Sequence, residues 1–230
     1  MRYLGSILAC AVLAACATNT PQQRHMQLHY QRVGEIESAL IGGDLATARA
    51  AATWLAEHDE VSGLPESGTP WLATMRSTAR TLASATDEVG AANAAALMIK
   101  TCGDCHHATG KGPRIVVAPE PVEASTAMNT HVTRHRWAAD RMRDGLIGPS
   151  DSAWNAGATV LAEQPIYQAD VGMRTGNFAA AEQLADRVME LGRRARATSD
   201  GYERASVYGE FLSTCAACHT AVGVPRQGSQ

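Results

Sequence analysis

Apolar residues recur along most of this chain at intervals of three and four, the spacing that places them on one face of an α-helix. Four segments before residue 110 show this spacing, with short connections between them. Their in-phase positions are His29, Val33, Ile36 and Leu40; Leu45, Ala48, Ala52 and Leu55; Leu72, Met75, Ala79 and Leu82; and Ala95, Met98, Cys102 and Cys105. No segment alternates apolar and polar residues over the length of a strand. The pattern therefore predicts an all-α fold.

The second half of the chain repeats short motifs of the first half. The recurring pairs are Met26-x-x-His29 with Met128-x-x-His131, Leu40-Ile41-Gly42 with Leu146-Ile147-Gly148, and Leu55-Ala56-Glu57 with Leu161-Ala162-Glu163. The offset is 131 − 29 = 102 for the first pair and 146 − 40 = 106 for the second. Helical periodicity also returns, at Leu184, Val188, Leu191 and Ala195 and at Tyr208, Phe211, Cys215 and Cys218. We interpret these matches as an internal duplication.

Four helices per copy with short connections predict antiparallel neighbours, that is, two tandem up-down four-helix bundles. The first bundle is expected over residues 26–110 and the second over residues 128–223, with a Pro-rich linker at 111–127 between them. In such a bundle the start of the first helix and the end of the fourth helix lie at the same end. The linker leaves one such end and enters the other, which suggests that these two ends adjoin.

One pentapeptide occurs at the end of each fourth helix: Cys102-Gly103-Asp104-Cys105-His106 and Cys215-Ala216-Ala217-Cys218-His219. Cys-x-x-Cys-His is the attachment pattern of c-type haem. Residues three apart share a helix face, so both thiols can reach one edge of a porphyrin, and the following His can bind the iron. The motifs predict two covalently bound haem c groups, with His106 and His219 as proximal ligands.

Two other interpretations of paired Cys-x-x-Cys motifs remain open. Four cysteines can form a structural zinc site, although each pair here is followed by a His and the two pairs are far apart in the sequence. A thioredoxin-type redox pair needs a βαβ context, and the helical periodicity does not indicate one.

Each half resembles a class II cytochrome c, the cytochrome c-prime and low-spin c-556 type, in which the haem motif lies near the C-terminus of a four-helix bundle. The resemblance covers most of the chain from Met26 to Gly223. In low-spin members of that family a Met of the first helix is the second axial ligand, whereas in cytochrome c-prime this position is apolar and the iron is five-coordinate. Here His29 and His131 fall near that position, so the resemblance implies bis-His ligation, with Met26 and Met128 as alternatives and an open site as a third possibility.

Three other histidines, His25, His58 and His107, are expected at the surface. Aromatic residues make up only 5% of the chain, so the core is expected to be rich in alanine, and a large cofactor would supply the missing bulk. The formal charge of −3 and the absence of a basic run argue against a nucleic-acid partner.

The first fifteen residues resemble a secretory signal, with a charged head and an apolar run that is too short to span a membrane. The run ends in Leu13-Ala14-Ala15-Cys16, which resembles a bacterial lipobox, so we expect residues 1–15 to be removed and Cys16 to carry lipid. Cleavage by an ordinary signal peptidase is the alternative. Residues 16–25 are expected to form a tether. Ala17 follows the lipobox cysteine in place of Asp, which favours the outer membrane by the sorting rule of bacterial lipoproteins.

Together these expectations describe a lipid-anchored dihaem electron-transfer protein on the periplasmic side of a bacterial membrane, which exchanges electrons with partner proteins. No acid–base pair or nucleophile is apparent beside either motif, so an enzyme is not expected. The alternative is a gas-binding or redox-sensing module with a five-coordinate haem. A dihaem peroxidase is disfavoured, because those enzymes resemble class I cytochromes.

Overall fold

The structure is a computed structural model that describes residues 20–58, 64–121, 127–163 and 178–223. For residues 127–132 and 178 it describes the backbone alone. The expected signal peptide at residues 1–15 and the expected lipidation site Cys16 lie outside the described residues.

The described residues form eight α-helices and one short 3₁₀ turn, Glu66–Gly68, and they contain no strand. The helices are α1 (Pro21–Ile41), α2 (Leu45–Glu57), α3 (Thr69–Ala83), α4 (Glu88–Thr109), α5 (Ala127–Ile147), α6 (Asp151–Glu163), α7 (Phe178–Ala197) and α8 (Gly201–Ala221). The predicted all-α class is therefore confirmed for this part of the chain. None of these helices combines the length and hydropathy that a bilayer span requires.

Helix α1 begins at Pro21, five residues before the predicted start at Met26. A capping box explains the early start: Gln23 N–H donates to the Thr20 hydroxyl at 3.1 Å, and Thr20 N–H donates to the Gln23 side chain at 2.8 Å. Pro21 is the first helical residue, where its missing N–H costs nothing. Residues 21–25, predicted as part of the tether, are therefore helical.

Helices that are neighbours in the sequence pack against each other within each half, α1 to α4 and α5 to α8. The two halves also pack together, through contacts of α4 with α8, of α4 with α5 and of α1 with α8. Helices α4 and α8 run antiparallel, because Asn93 of α4 lies beside Gly209 while Lys100, farther along α4, lies beside Gly201. The Lys100 ammonium also lies 3.8 Å from the ring centroid of Tyr202.

Reciprocal side-chain contacts join α1 and α5 at the middle of the molecule. Tyr30 donates to Asp144 at 2.9 Å, and Arg136 donates to Ser38 at 2.6 Å. In the sequence repeat Arg136 corresponds to Tyr30 (30 + 106) and Asp144 corresponds to Ser38 (38 + 106). Each half therefore contributes the same two repeat positions to this pair of contacts. Two duplicated units paired about a twofold axis would produce this reciprocity.

The core is built largely of alanine, as the composition predicts, with a few large side chains filling the remaining space. The largest fully buried side chains are those of Trp154, Tyr208 and Phe211. Trp154 donates its indole N–H to the carbonyl of Ala195 at 2.8 Å, which satisfies its polar atom in the interior. All three aromatic residues belong to α6 and α8 of the second half.

Candidate functional site

A cavity of about 770 Å³ lies between the start of α1 and the end of α4. Both cysteines and the histidine of the first pentapeptide, Cys102, Cys105 and His106, line it from α4. Met26 and His29 line it from α1. The antiparallel order of the helices therefore brings together the residues that the sequence singled out in the first half. The volume is within the range of small-molecule and cofactor pockets, roughly 300–1,000 Å³.

The remaining walls of the cavity come from α3, from the segment after α4 and from the second half of the chain. Trp71, Leu72 and Met75 of α3 supply an apolar wall. Residues 111–116, predicted to be a linker, also line the cavity and bring Lys111 and Arg114 to it. The cavity is therefore mainly apolar, with cationic side chains along one part of its wall.

The ring of His106 is held by a backbone carbonyl of the other half. Its Nδ1 lies 2.8 Å from the carbonyl oxygen of Ile147 at the end of α5. A carbonyl can only accept, so Nδ1 carries the proton and Nε2 keeps its lone pair. This hydrogen bond leaves His106 in the tautomer that a metal-binding histidine needs, oriented by a partner of the kind that metal-bound histidines commonly have.

Gly103, inside the first pentapeptide, allows α4 to approach α5 closely. A Cβ at this position would lie 2.0 Å from the carbonyl oxygen of Leu146, far inside contact distance. Only glycine fits there without a shift of the backbone. The equivalent residue of the second pentapeptide is Ala216, so this close approach is specific to the first one.

The four described cysteines form no disulfide bond. Burial raises the pKa of Cys102 to about 12, and the neighbouring Cys105 adds to the effect. Burial also raises the pKa of Cys215 well above its usual value. The protein around these sulfurs therefore favours the neutral thiol over a charged thiolate, an environment that suits thioether bonds to a cofactor.

His29, opposite the pentapeptide, is a neutral imidazole in this environment. Burial, followed by the positive charges of His25, His58 and Arg76, lowers its pKa to about 3. Its Nε2 atom is buried, and no atom of the described chain forms a hydrogen bond with it. A buried ring nitrogen without a partner in the described chain could hold a metal ion or a cofactor.

The second pentapeptide, at the end of α8, lies against the turn between α1 and α2. Burial lowers the pKa of His219, and the nearby backbone of Ile41 opposes this shift to a smaller extent. The Nδ1 atom of this ring is buried and forms no hydrogen bond with the described chain. Ile41 is equivalent to Ile147 in the repeat, 147 − 41 = 106. Each pentapeptide histidine thus lies near the last residue of the other half's first helix. Met128 and His131 belong to α5, and their side chains lie outside the described residues.

The two pentapeptides lie at opposite ends of the antiparallel pair α4 and α8. With a rise of about 1.5 Å per residue, Cys105 and Cys218 are roughly 30 Å apart along these helices. The expectation that the two motif-bearing ends adjoin is therefore wrong. Ile147, the last residue of α5, lies beside His106 near the end of α4, so α5 begins at the other end of the molecule. The same separation excludes one zinc ion shared by both cysteine pairs, since Zn–S bonds are about 2.3 Å long.

A histidine cluster beside the cavity was not predicted. His25 is 8% exposed, although the sequence placed it at the surface, and its ring lies 4.3 Å from that of His29 and 5.0 Å from that of His58. The ring of His58 in turn stacks on Trp54 at 4.0 Å. The available signal was the spacing of His25 and His29, four residues apart on one helix face. His58 joins them only because α2 returns antiparallel to α1.

No protein-family model, no curated protein and no solved structure matches this chain.

Proposed function

We propose that this chain is a dihaem c-type cytochrome that transfers single electrons on the periplasmic side of a bacterial membrane. It would consist of two tandem four-helix units of the class II type, each holding one haem c. The cavity at the end of α4 carries the proposal, because two thiols and a histidine in the haem-attachment spacing line it opposite a second, partly buried histidine.

In the first unit, Cys102 and Cys105 would hold the porphyrin through thioether bonds, His106 would bind the iron, and His29 would bind its other face. The chemistry of these donors fits the group. His106 keeps its Nε2 lone pair, and His29 presents an unprotonated ring with an unpartnered nitrogen. Met26, one turn before His29, is the alternative ligand on the same helix.

In the second unit, Cys215, Cys218 and His219 would have the corresponding roles. His131 is the proposed sixth ligand and Met128 its alternative, by their equivalence to His29 and Met26 in the repeat. The position of His219 supports the assignment, because it lies near the backbone of Ile41, the residue equivalent to the Ile147 that binds His106.

When bound, haem supplies a one-electron couple, and this chain's own residues would determine its ligation and its exposure to water. The apolar wall from α3, together with the partly buried Ile115, would shield the first site from water. Lys111 and Arg114 would offer positive charge to the two carboxylates that every haem c carries. An axial histidine in place of methionine would lower the reduction potential, since thioether ligands favour the reduced iron.

The proposed location depends on the first sixteen residues. Cleavage before Cys16 and lipidation of this residue would tether the protein to a membrane, with the outer membrane favoured. Partner proteins would then deliver and accept the electrons. With both axial positions filled, we infer an electron carrier rather than an enzyme.

Absorption spectra of the purified holoprotein, oxidised and reduced, with and without carbon monoxide, test this proposal. Two low-spin haems that do not bind the gas are expected. In His29→Ala, one of the two haems should become high-spin and bind carbon monoxide, while Met26→Leu, at the alternative position on the same helix, should leave both low-spin.

The other results are equally informative. Carbon monoxide binding by the unmodified protein would favour gas sensing at a five-coordinate haem. If both haems stay low-spin in His29→Ala and one becomes high-spin in Met26→Leu, the sixth ligand of the first iron is Met26.

A further inference from the structure

We propose that His25, His29 and His58 form a binding site for one divalent ion of the borderline transition metals, such as Ni²⁺, Cu²⁺ or Zn²⁺. The site adjoins the first haem cavity and shares His29 with it. Its existence does not depend on haem, whereas its effect on the iron rests on the proposed function.

The geometry of the three rings carries this inference. One nitrogen atom of each histidine lies within 4.8 Å of the corresponding atoms of the other two. A tetrahedral ion with metal–nitrogen bonds of about 2.1 Å needs these nitrogens roughly 3.4 Å apart. The difference is at most about 1.4 Å, which side-chain torsions can close. His25 and His29 are four residues apart on α1, the spacing that lets two side chains meet over one helix face.

His58 is held in place from three directions. It caps α2, and its backbone N–H donates to the carbonyl of Trp54 at 2.9 Å. Its own carbonyl accepts from Arg76 at 3.0 Å, and its ring stacks on the Trp54 indole with an interplanar angle of 17°. A third ligand fixed in this way lowers the entropic cost of closing the site around an ion.

The ligand type determines which ions fit. Three imidazoles with no carboxylate among them suit Zn²⁺, Cu²⁺ and Ni²⁺ and suit Mg²⁺ and Ca²⁺ poorly, since those ions prefer oxygen. Three protein ligands leave a fourth position for water or another small ligand, the pattern of open zinc sites. The buried Nε2 of His29 forms no hydrogen bond with the described chain, so this nitrogen is available to either the divalent ion or the haem iron.

The positive charge of Arg76 acts on the His29 ring and would repel a cation bound there, which weakens metal binding. Removing this charge while keeping a hydrogen-bond donor, as in Arg76→Gln, should therefore tighten metal binding. Loss of any ligand should weaken it, so the two kinds of variant are expected to change the affinity in opposite directions.

Sharing of His29 links the ion to the first haem. His29 cannot bind iron and a second metal through one nitrogen at the same time, so the divalent ion and the sixth iron ligand compete. Metal binding would convert one haem of the holoprotein from low-spin to high-spin, the same change that is expected for His29→Ala.

Equilibrium dialysis of untagged, chelator-treated holoprotein against Ni²⁺ and Zn²⁺, with metal analysis, tests the site directly. One ion per chain is expected beyond the haem iron. His58→Phe and His25→Phe keep a ring in the stack and remove a ligand, so they should lose more than the roughly 10- to 100-fold that second-shell changes cost. His107→Ala, at an exposed position of α4, is the matched control and should bind as the unmodified protein does.

The haem spectrum recorded in the same samples separates this inference from the proposed function. Stoichiometric metal binding with a high-spin shift supports both. Metal binding without a shift supports the site and removes His29 as an iron ligand. No stoichiometric binding, or binding that survives both Phe variants, overturns the site whatever the haem spectrum shows.

Discussion

The side chains of Glu37 and Arg143 form an ion pair at the centre of the molecule, and the two residues occupy equivalent positions of the sequence repeat, since 143 − 37 = 106. Glu37 is 0% exposed and accepts a second hydrogen bond from the hydroxyl of Tyr208. Arg143 also donates to Tyr30 at 2.8 Å. The pair thus links α1, α5 and α8, and with them both halves of the chain.

Replacing one partner of this pair should destabilise the protein. Arg143→Met leaves the Glu37 carboxyl buried without its cation, and breaking a buried pair in this way costs about 3–5 kcal/mol. Urea denaturation at neutral pH measures the loss. Arg193→Met is the control, because Arg193 and Glu190 form an exposed pair with side chains 56% and 47% accessible, and such pairs contribute about 1 kcal/mol at most. Equal losses in the two variants would contradict a structural role for the central pair.

The stability of the protein should also depend on pH through Glu37. Burial raises the pKa of this carboxyl, against the opposing effect of Arg143. A folded-state pKa above the unfolded value of about 4.3 means that the folded protein holds the proton more tightly. This contribution to stability is complete below the unfolded pKa and is lost as the pH rises through the folded pKa.

Glu37→Gln isolates that contribution, because glutamine keeps the shape and cannot ionise. The free energy of unfolding of the unmodified protein, minus that of Glu37→Gln, should fall as the pH rises above about 4.3. Urea titrations of both proteins over a pH series give this difference. A difference that rises with pH would show that Arg143 lowers the carboxyl pKa by more than burial raises it.

The close approach at Gly103 predicts an unusual response to alanine. Alanine normally stabilises a helix interior by up to about 1 kcal/mol relative to glycine. In Gly103→Ala the new Cβ meets the Leu146 carbonyl, and overpacking of this kind costs typically 1–3 kcal/mol. Gly90→Ala in the same helix is the control, since its Cβ would lie 3.4 Å from the Asp87 side chain. Thermal unfolding should show a lower midpoint for Gly103→Ala alone.

Helical periodicity was sufficient to predict the helices, because the spacing of apolar residues within each segment alone shows which face is buried. The stripe that ends in Cys102 and Cys105, combined with an antiparallel order, also predicted that His29 would lie opposite them. The early start of α1 was missed because its polar composition resembled a tether, although Thr20 and Gln23 form a recognisable capping box.

The contacts between the halves could not be predicted from periodicity. A stripe shows which face of a helix is buried and leaves open which other helix buries it. Glu37 sits beside Ile36 in the sequence, and nothing local indicates that its partner is 106 residues away. The same limit hid the antiparallel arrangement of α4 and α8, which separates the two pentapeptides, and the approach of His58 to His25.

Intact-mass spectrometry of the protein purified from a host that attaches c-type haem tests the central claim most directly. We predict a chain mass increased by two covalently bound haems, and by only one in the double variant Cys102→Ser with Cys105→Ser. A chain that carries no haem, or an unchanged haem count in the double variant, would contradict the account.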